Sequence, residues 1–169
     1  MTEISVIVPI RNEEQSIKPF LESATKVLDK INKPYEIIFS MDPSTDNTEE
    51  IILEEIAKNN KIKLLVFSRK FGQPAATMAG IHNSKGNYCV IIDVDLQDPP
   101  EIIEEMYKKV IEGYDVVYAK RSSRKGETLI KKIVSSVAYF IINKISEINI
   151  PVDTGDFRII SRRVANELT

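Results

Sequence analysis

Cysteine is nearly absent. Cys89 stands alone among 169 residues, so no disulfide framework can form, which fits a reducing, cytoplasmic setting. Cys89 sits in an apolar run with no partner base at motif spacing and reads as core. Histidine is equally scarce. The only one, His82, falls late in a short helical pattern and reads as a surface residue near a helix end rather than a ligand or base. The six glycines build no phosphate-cradling loop: Gly72 and Gly80 lack the spacing of a dinucleotide fingerprint, and no phosphate-loop lysine motif occurs. No apolar run approaches the ~18 residues of a membrane span. The nearest, Ile133 to Ile142, is interrupted by Ser135 and Ser136. Met1 to Val8 has no basic n-region and is too short for a signal peptide, so none is expected. Positive charge is not in excess either; a net charge of −2 supplies no field for nucleic acid, and no such partner is expected.

What is present is an alternation of elements. Ile4–Val8, Tyr35–Phe39, Ile62–Phe67, Tyr88–Ile92 and Val116–Ala119 are short β-branched or apolar runs bounded by turn residues, the pattern of buried strands. Between them lie helical periodicities. Asn12 is placed to cap a helix from Glu13, with Ile17, Phe20, Leu21, Ala24, Val27, Leu28 and Ile31 on one face. Further helices are expected over Thr48–Asn59, over Pro74–Asn83, from Pro99 to Glu112 with Asp98 as cap, over Glu127–Ile145, and over Arg162–Leu168. Such alternation predicts an α/β fold with a mainly parallel sheet covered on both faces. Ligands of these sheets sit beyond the carboxyl ends of the strands, where strand order reverses. In the common doubly wound order the first and fourth strands are neighbours at that point.

The fourth strand ends in Asp93-Val94-Asp95-Leu96-Gln97-Asp98. Side chains two apart on an extended segment share a side, so Asp93 and Asp95 are placed to converge on one ion. Hard oxygen ligands suit Mg²⁺ or Mn²⁺. A solvated acidic turn is the plainer reading of the same residues.

Several segments in register resemble the family-2 glycosyltransferases of GT-A fold, within them the polyprenyl-phosphate hexosyltransferases of the dolichol-phosphate mannose synthase-like group. They are "SVIVPIRNEE", "SRKFGQPAATMAGIHNSKGNY", "IIDVDLQDPPE", "AKRSSRKGE" and "TGDFRIISR", together covering nearly all of Ile4 to Leu168. The resemblance implies a metal-binding pair, Asp93 and Asp95, with Gln97 as third ligand. It implies a nucleotide-sugar site at Pro9, Asn12, Glu13, Asp42, Arg69, Gly72, Asp93 and Val94. It assigns Arg121 and Arg124 to phosphate, which guanidinium forks suit, and places Asp156 and Arg158 near the acceptor. Met41-Asp42-Pro43-Ser44 departs from the Asp-Asp-Gly-Ser turn usual after the second strand, and Lys70 stands where Asn or His is more frequent. These departures bear on which nucleotide is preferred.

The implied activity is inverting, metal-dependent transfer of a hexose from a nucleotide sugar, with Mg²⁺ or Mn²⁺, to a polyprenyl phosphate in cell-envelope or glycan assembly. With a sugar-hydroxyl acceptor, Asp156 is the general base. Two other classes stand beside it. A nucleotidyltransferase also uses paired carboxylates and a metal but needs a glycine-rich phosphate loop, which "PIRNEE" lacks; the other is a non-catalytic nucleotide-sugar-binding remnant. The expected organisation is one catalytic domain over residues 1–169, shortened at its C-terminus relative to close relatives, which carry membrane segments. Expected partners are the nucleotide sugar and the lipid or glycan acceptor. The apolar face of the helix Glu127–Ile145 reads first as core packing; what the resemblance adds is peripheral contact with the inner face of the membrane, with Lys131 and Lys132 near its headgroups.

Overall fold

The structure, a computed structural model, describes residues 2–120 and 154–169. Arg121, Arg124 and the expected helix Glu127–Ile145 lie outside the described residues. One compact unit comprises Met1–Tyr118 and Asp156–Thr169; the second, Ala119–Gly155, falls almost wholly outside the description.

Among the described residues six strands form one sheet: β1 (Ile4–Ile10), β2 (Tyr35–Met41), β3 (Ile62–Val66), β4 (Tyr88–Ile91), β5 (Val116–Lys120) and β6 (Thr154–Ser161), in the order β3-β2-β1-β4-β6-β5. The pairs β3–β2, β2–β1 and β1–β4 are parallel, and β1 and β4 are neighbours as the doubly wound order predicts. The strand β6 was not foreseen. It lies antiparallel to β4, with Cys89 opposite Ile160 and Ile91 opposite Arg158.

Strand alternation sorts the helices. Ile7 and Ser40 belong to one face of the sheet, Val8 and Phe39 to the other, because Val8 pairs with Phe39 and Pro9 with Ser40. Helix α1 (Ile17–Ile31) buries Ile17, Phe20, Leu21, Ala24, Val27 and Leu28 against the second face, where the Phe20 ring meets Phe39 edge-on at 6.2 Å. Helix α3 (Gln73–Asn83) covers the first face. Its Ile81 joins Ile7, Cys89, Ile91, Ile160 and Ala165 of α5 (Arg162–Leu168) in one buried cluster. Gly80 makes the close approach possible: a Cβ there would collide with the Ile7 side chain and lie 2.9 Å from Ser40 Oγ. Helices α2 (Thr48–Lys58) and α4 (Ile103–Ile111) are the other α-helices among the described residues.

Two helix starts differ from expectation. α1 begins at Ile17, not Glu13. Asn12 takes φ 56° and turns the chain, while the N–H groups of Glu13 and Glu14 donate to Thr48 Oγ1 (2.8 Å) and Asp46 Oδ2 (3.2 Å) across the β2–α2 loop. Tertiary acceptors thus replace the local cap. α4 is preceded by a 3₁₀ turn, Pro100–Ile102, capped by an extended Pro99, and Asp98 is buried rather than serving as the cap. Cys89 is buried as expected, and burial pushes its thiol up. His82 is exposed in the last turn of α3.

Candidate active site

The carboxyl ends of β1, β2 and β4 open onto a cavity of about 370 Å³. The loop after β1 contributes Arg11 and Glu13, β1 itself Pro9 and Ile10; Asp42 follows β2, and Asp93, Val94 and Asp95 follow β4. The segment before and into α3 supplies Lys70, Gly72, Gln73 and Ala76. Four carboxylates and two cations therefore share one opening.

The loops after β1 and β2 are latched together. Asn12 Oδ1 accepts the Thr45 N–H at 2.8 Å, its own N–H donates to Ser44 Oγ at 3.1 Å, and Glu14 Oε2 accepts the Asn47 N–H at 3.0 Å. Asp46 closes the latch. Burial pushes its carboxyl up, but the Thr48 hydroxyl and N–H and the Glu14 N–H outweigh it and hold it below the ordinary carboxylate range. Asn12 itself does not line the cavity; it shapes the loop that does.

Asp42 is buried and faces the loop before α3. Its two oxygens accept the backbone N–H groups of Phe71 (2.9 Å) and Gly72 (2.8 Å). Gly72 holds φ 90°, a value strained for any side chain. Arg69 is not a lining residue; its guanidinium stacks over the Phe71 ring at 4.2 Å.

Past β4 the chain turns. Asp93 is half-buried, Val94 buried and Asp95 exposed, and Leu96 takes φ 58°. Asp95 Oδ1 accepts the Gln97 N–H at 3.0 Å, and the exposed Gln97 does not line the cavity. Sequence reasoning missed Gln73, whose amide Nε2 donates to Asp93 Oδ1 at 2.9 Å and to Asp156 Oδ2 at 3.2 Å. Only its neighbourhood to Gly72 hinted at it. Asp156 of β6 is thereby bonded to a residue that lines the cavity without lining it itself, and Arg158 follows on the same strand, opposite Ile91.

Among the described residues no three His, Cys, Asp or Glu side chains form a metal cage. Asp93 and Asp95 instead offer two carboxylates at an open rim. That donor set fits Mg²⁺ or Mn²⁺, which retain water and complete their shell with substrate phosphate oxygens.

A mainly parallel sheet of this order, with paired acids beyond its fourth strand, is the GT-A fold of nucleotide-sugar transferases. A solved structure with this fold is glucosyl-3-phosphoglycerate synthase from Mycobacterium tuberculosis in complex with Mn²⁺, UDP-glucose and phosphoglyceric acid; it superposes with a TM-score of 0.67 at 22% identity over 96% of this chain and 57% of that one. The chain belongs to glycosyl transferase family 2, which matches residues 5–169. It is 43% identical to an uncharacterized glycosyltransferase of Bacillus subtilis, YkcC, over 98% of this chain and 51% of that protein. It is 38% identical to the bactoprenol glucosyl transferase of Shigella phage SfV, over 98% of this chain and 54% of that protein. The chain thus spans about half the length of the curated relatives it matches.

Proposed function

We propose that residues 1–169 are the catalytic domain of a metal-dependent hexosyltransferase that moves a hexose, with inversion, from a nucleotide sugar to a polyprenyl phosphate. One observation carries the reading: Asp93 and Asp95 share with Glu13, Asp42 and Gly72 a single cavity at the carboxyl edge of the sheet. Its volume suits a small polar ligand, and its paired acids suit a nucleoside diphosphate bound together with a divalent cation. Asp93 and Asp95 would hold Mg²⁺ or Mn²⁺, which when bound offsets the charge developing on the leaving diphosphate.

The relative named bactoprenol glucosyl transferase supports a lipid-phosphate acceptor. Such an acceptor is already an anion. Its phosphate oxygen forms the new bond to the anomeric carbon as the bond to the diphosphate breaks on the opposite face, and no proton has to leave. Arg158, with Arg121 and Arg124, would orient it through guanidinium–phosphate pairs. This acceptor would place the chain at the inner face of a membrane. Among the described residues no helix is long and apolar enough to cross one.

A second reading, transfer to a sugar hydroxyl, is favoured by the position of Asp156, exposed and bridged through Gln73 to Asp93. There its carboxylate would take the hydroxyl proton. The test is a thermal-shift screen of nucleotide sugars with Mn²⁺ and with EDTA, followed by transfer of labelled hexose to a short polyprenyl phosphate and to free saccharides. A Mn²⁺-dependent midpoint rise and a labelled lipid are expected. Labelled saccharide alone replaces the first reading with the second, and no nucleotide-sugar binding overturns both.

A further inference from the structure

We propose that Gln73 is a positioning residue that fixes the carboxylates of Asp93 and Asp156 on one amide nitrogen, so that a residue of β6 influences the cation site at the end of β4. The inference rests on the proposed reading that Asp93 is a metal ligand. Asp93 Oδ1 and Asp156 Oδ2 both lie within 3.2 Å of Gln73 Nε2. Only the NH₂ end of a carboxamide can face two carboxylates, since it carries two hydrogens and its carbonyl end would be repelled. The two acids come from segments 63 positions apart in sequence, and their like charges repel. A neutral double donor between them offsets that repulsion without itself bringing a positive charge against the metal.

The placement of Gln73 is itself fixed. It is the first residue of α3, directly after Gly72, whose N–H is held by buried Asp42. Helix α3 is seated on the sheet through Gly80. The side chain of Gln73 is exposed, so its replacement leaves the core untouched. Its reach is specific: Asn is one methylene too short, and Glu replaces the donor with a third negative charge.

The experiment is calorimetric titration of the 169-residue chain with Mn²⁺ in the presence of saturating UDP, for wild type, Gln73→Ala, Gln73→Glu, Asp156→Ala and Gln73→Ala/Asp156→Ala, each checked for fold by circular dichroism. Removing a group that orients a metal ligand weakens metal binding about 10–100-fold, and that loss is expected for Gln73→Ala, with a larger one for Gln73→Glu. Asp156→Ala, which removes the acceptor that holds the Gln73 amide, is expected to weaken Mn²⁺ in wild type, yet to change it by less than about 2-fold when Gln73 is already Ala, because coupled sites are non-additive. A merely structural Gln73 would not produce that dependence on background. Wild-type affinity in Gln73→Ala, or equal effects of Asp156→Ala in both backgrounds, overturns the inference alone. A wild-type chain that takes up no Mn²⁺ with UDP, GDP or another nucleoside diphosphate overturns the parent reading and this inference with it.

Discussion

The carboxylate of Asp42 accepts the backbone N–H of Gly72 at 2.8 Å and so ties the end of β2 to the first turn of α3. With the Phe71 N–H on its other oxygen at 2.9 Å, Asp42 fixes the strip of backbone that carries Lys70, Gly72 and Gln73 into the cavity. Asp42→Asn turns one acceptor into a donor facing an N–H, leaving a buried group unpaired at a cost of about 1–3 kcal/mol. Gly72→Ala is expected to cost about 1–3 kcal/mol for a different reason, its φ of 90°. Space is not the obstacle, since an added Cβ would meet only Pro74 Cδ at 3.9 Å. Urea midpoints measure both changes, and affinity for the proposed nucleotide sugar should fall alongside stability in both. Unchanged midpoints would sink this account of the loop.

Gly80 and Ser40 give opposite expectations at one contact. Gly80→Ala forces a Cβ into Ile7 and toward Ser40 Oγ, and such overpacking costs about 1–3 kcal/mol. Ser40 Oγ is the one buried side-chain polar atom without a partner among the described residues. Ser40→Ala removes that unpaired hydroxyl and should be neutral or stabilising by up to about 1 kcal/mol. Thermal midpoints decide. A destabilised Ser40→Ala would mean the hydroxyl has a partner, such as a buried water.

Below the sheet's opposite edge, Glu36 is buried in β2. Its carboxylate accepts Ser5 Oγ at 2.6 Å and the Lys85 N–H at 2.7 Å and pairs with Lys63. Burial pushes this carboxyl up, but the Lys63 ammonium, the Ser5 hydroxyl and the Lys85 N–H together hold it below its ordinary value of 4.5. A pKa depressed by folding contributes stability that is present above the unfolded value and lost as pH falls through the folded one. Stability should therefore decline as pH drops below about 4.5, the unfolded value. In Glu36→Gln that acid limb should flatten, with a loss of about 1–3 kcal/mol at neutral pH. Chemical denaturation at pH 3 to 7 checks it; an unchanged acid limb in the variant assigns the effect to other carboxylates.

The proposed metal dependence is tested most cleanly at Asp95. The residue is exposed, and Asn at this position keeps the oxygen that accepts the Gln97 N–H. Asp95→Asn should thus change stability by less than about 0.5 kcal/mol. Nucleoside-diphosphate affinity in Mn²⁺ should drop to its level in EDTA. Equal wild-type affinity in Mn²⁺ and EDTA would count against a cation site here.

How much of this was legible depends on where each residue's partners lie. Runs such as Ile4–Val8 and Tyr88–Ile92 announce buried strands by themselves, and the alternation with helices fixes β1 beside β4, hence the place of Asp93 and Asp95. Asn12 misled because its local setting is that of a helix cap, whereas its carboxamide is committed to Thr45, 33 residues away. Strand β6 was unread because Ile159 and Ile160 are both buried and break simple alternation, and because its partner β4 is remote in sequence. Gln73 carries no signal of its own. Its meaning comes from acids 20 and 83 positions distant.

The antiparallel pairing of β6 with β4 also sets an order of events during folding. A chain made only as far as Ile111 already contains β1 to β4, α1 to α4 and, among the described residues, all that line the cavity. Asp156 is still unsynthesised. Pairing Ile91 with Arg158 then closes a long loop, and contacts of such separation form late. The nascent domain is therefore expected to be competent for a nucleotide before it holds both carboxylates that Gln73 joins. In pulse-labelled hydrogen exchange, amides of β1, β2 and β4 should gain protection before those of Phe157 and Ile159; simultaneous protection would show that the sheet closes in one step.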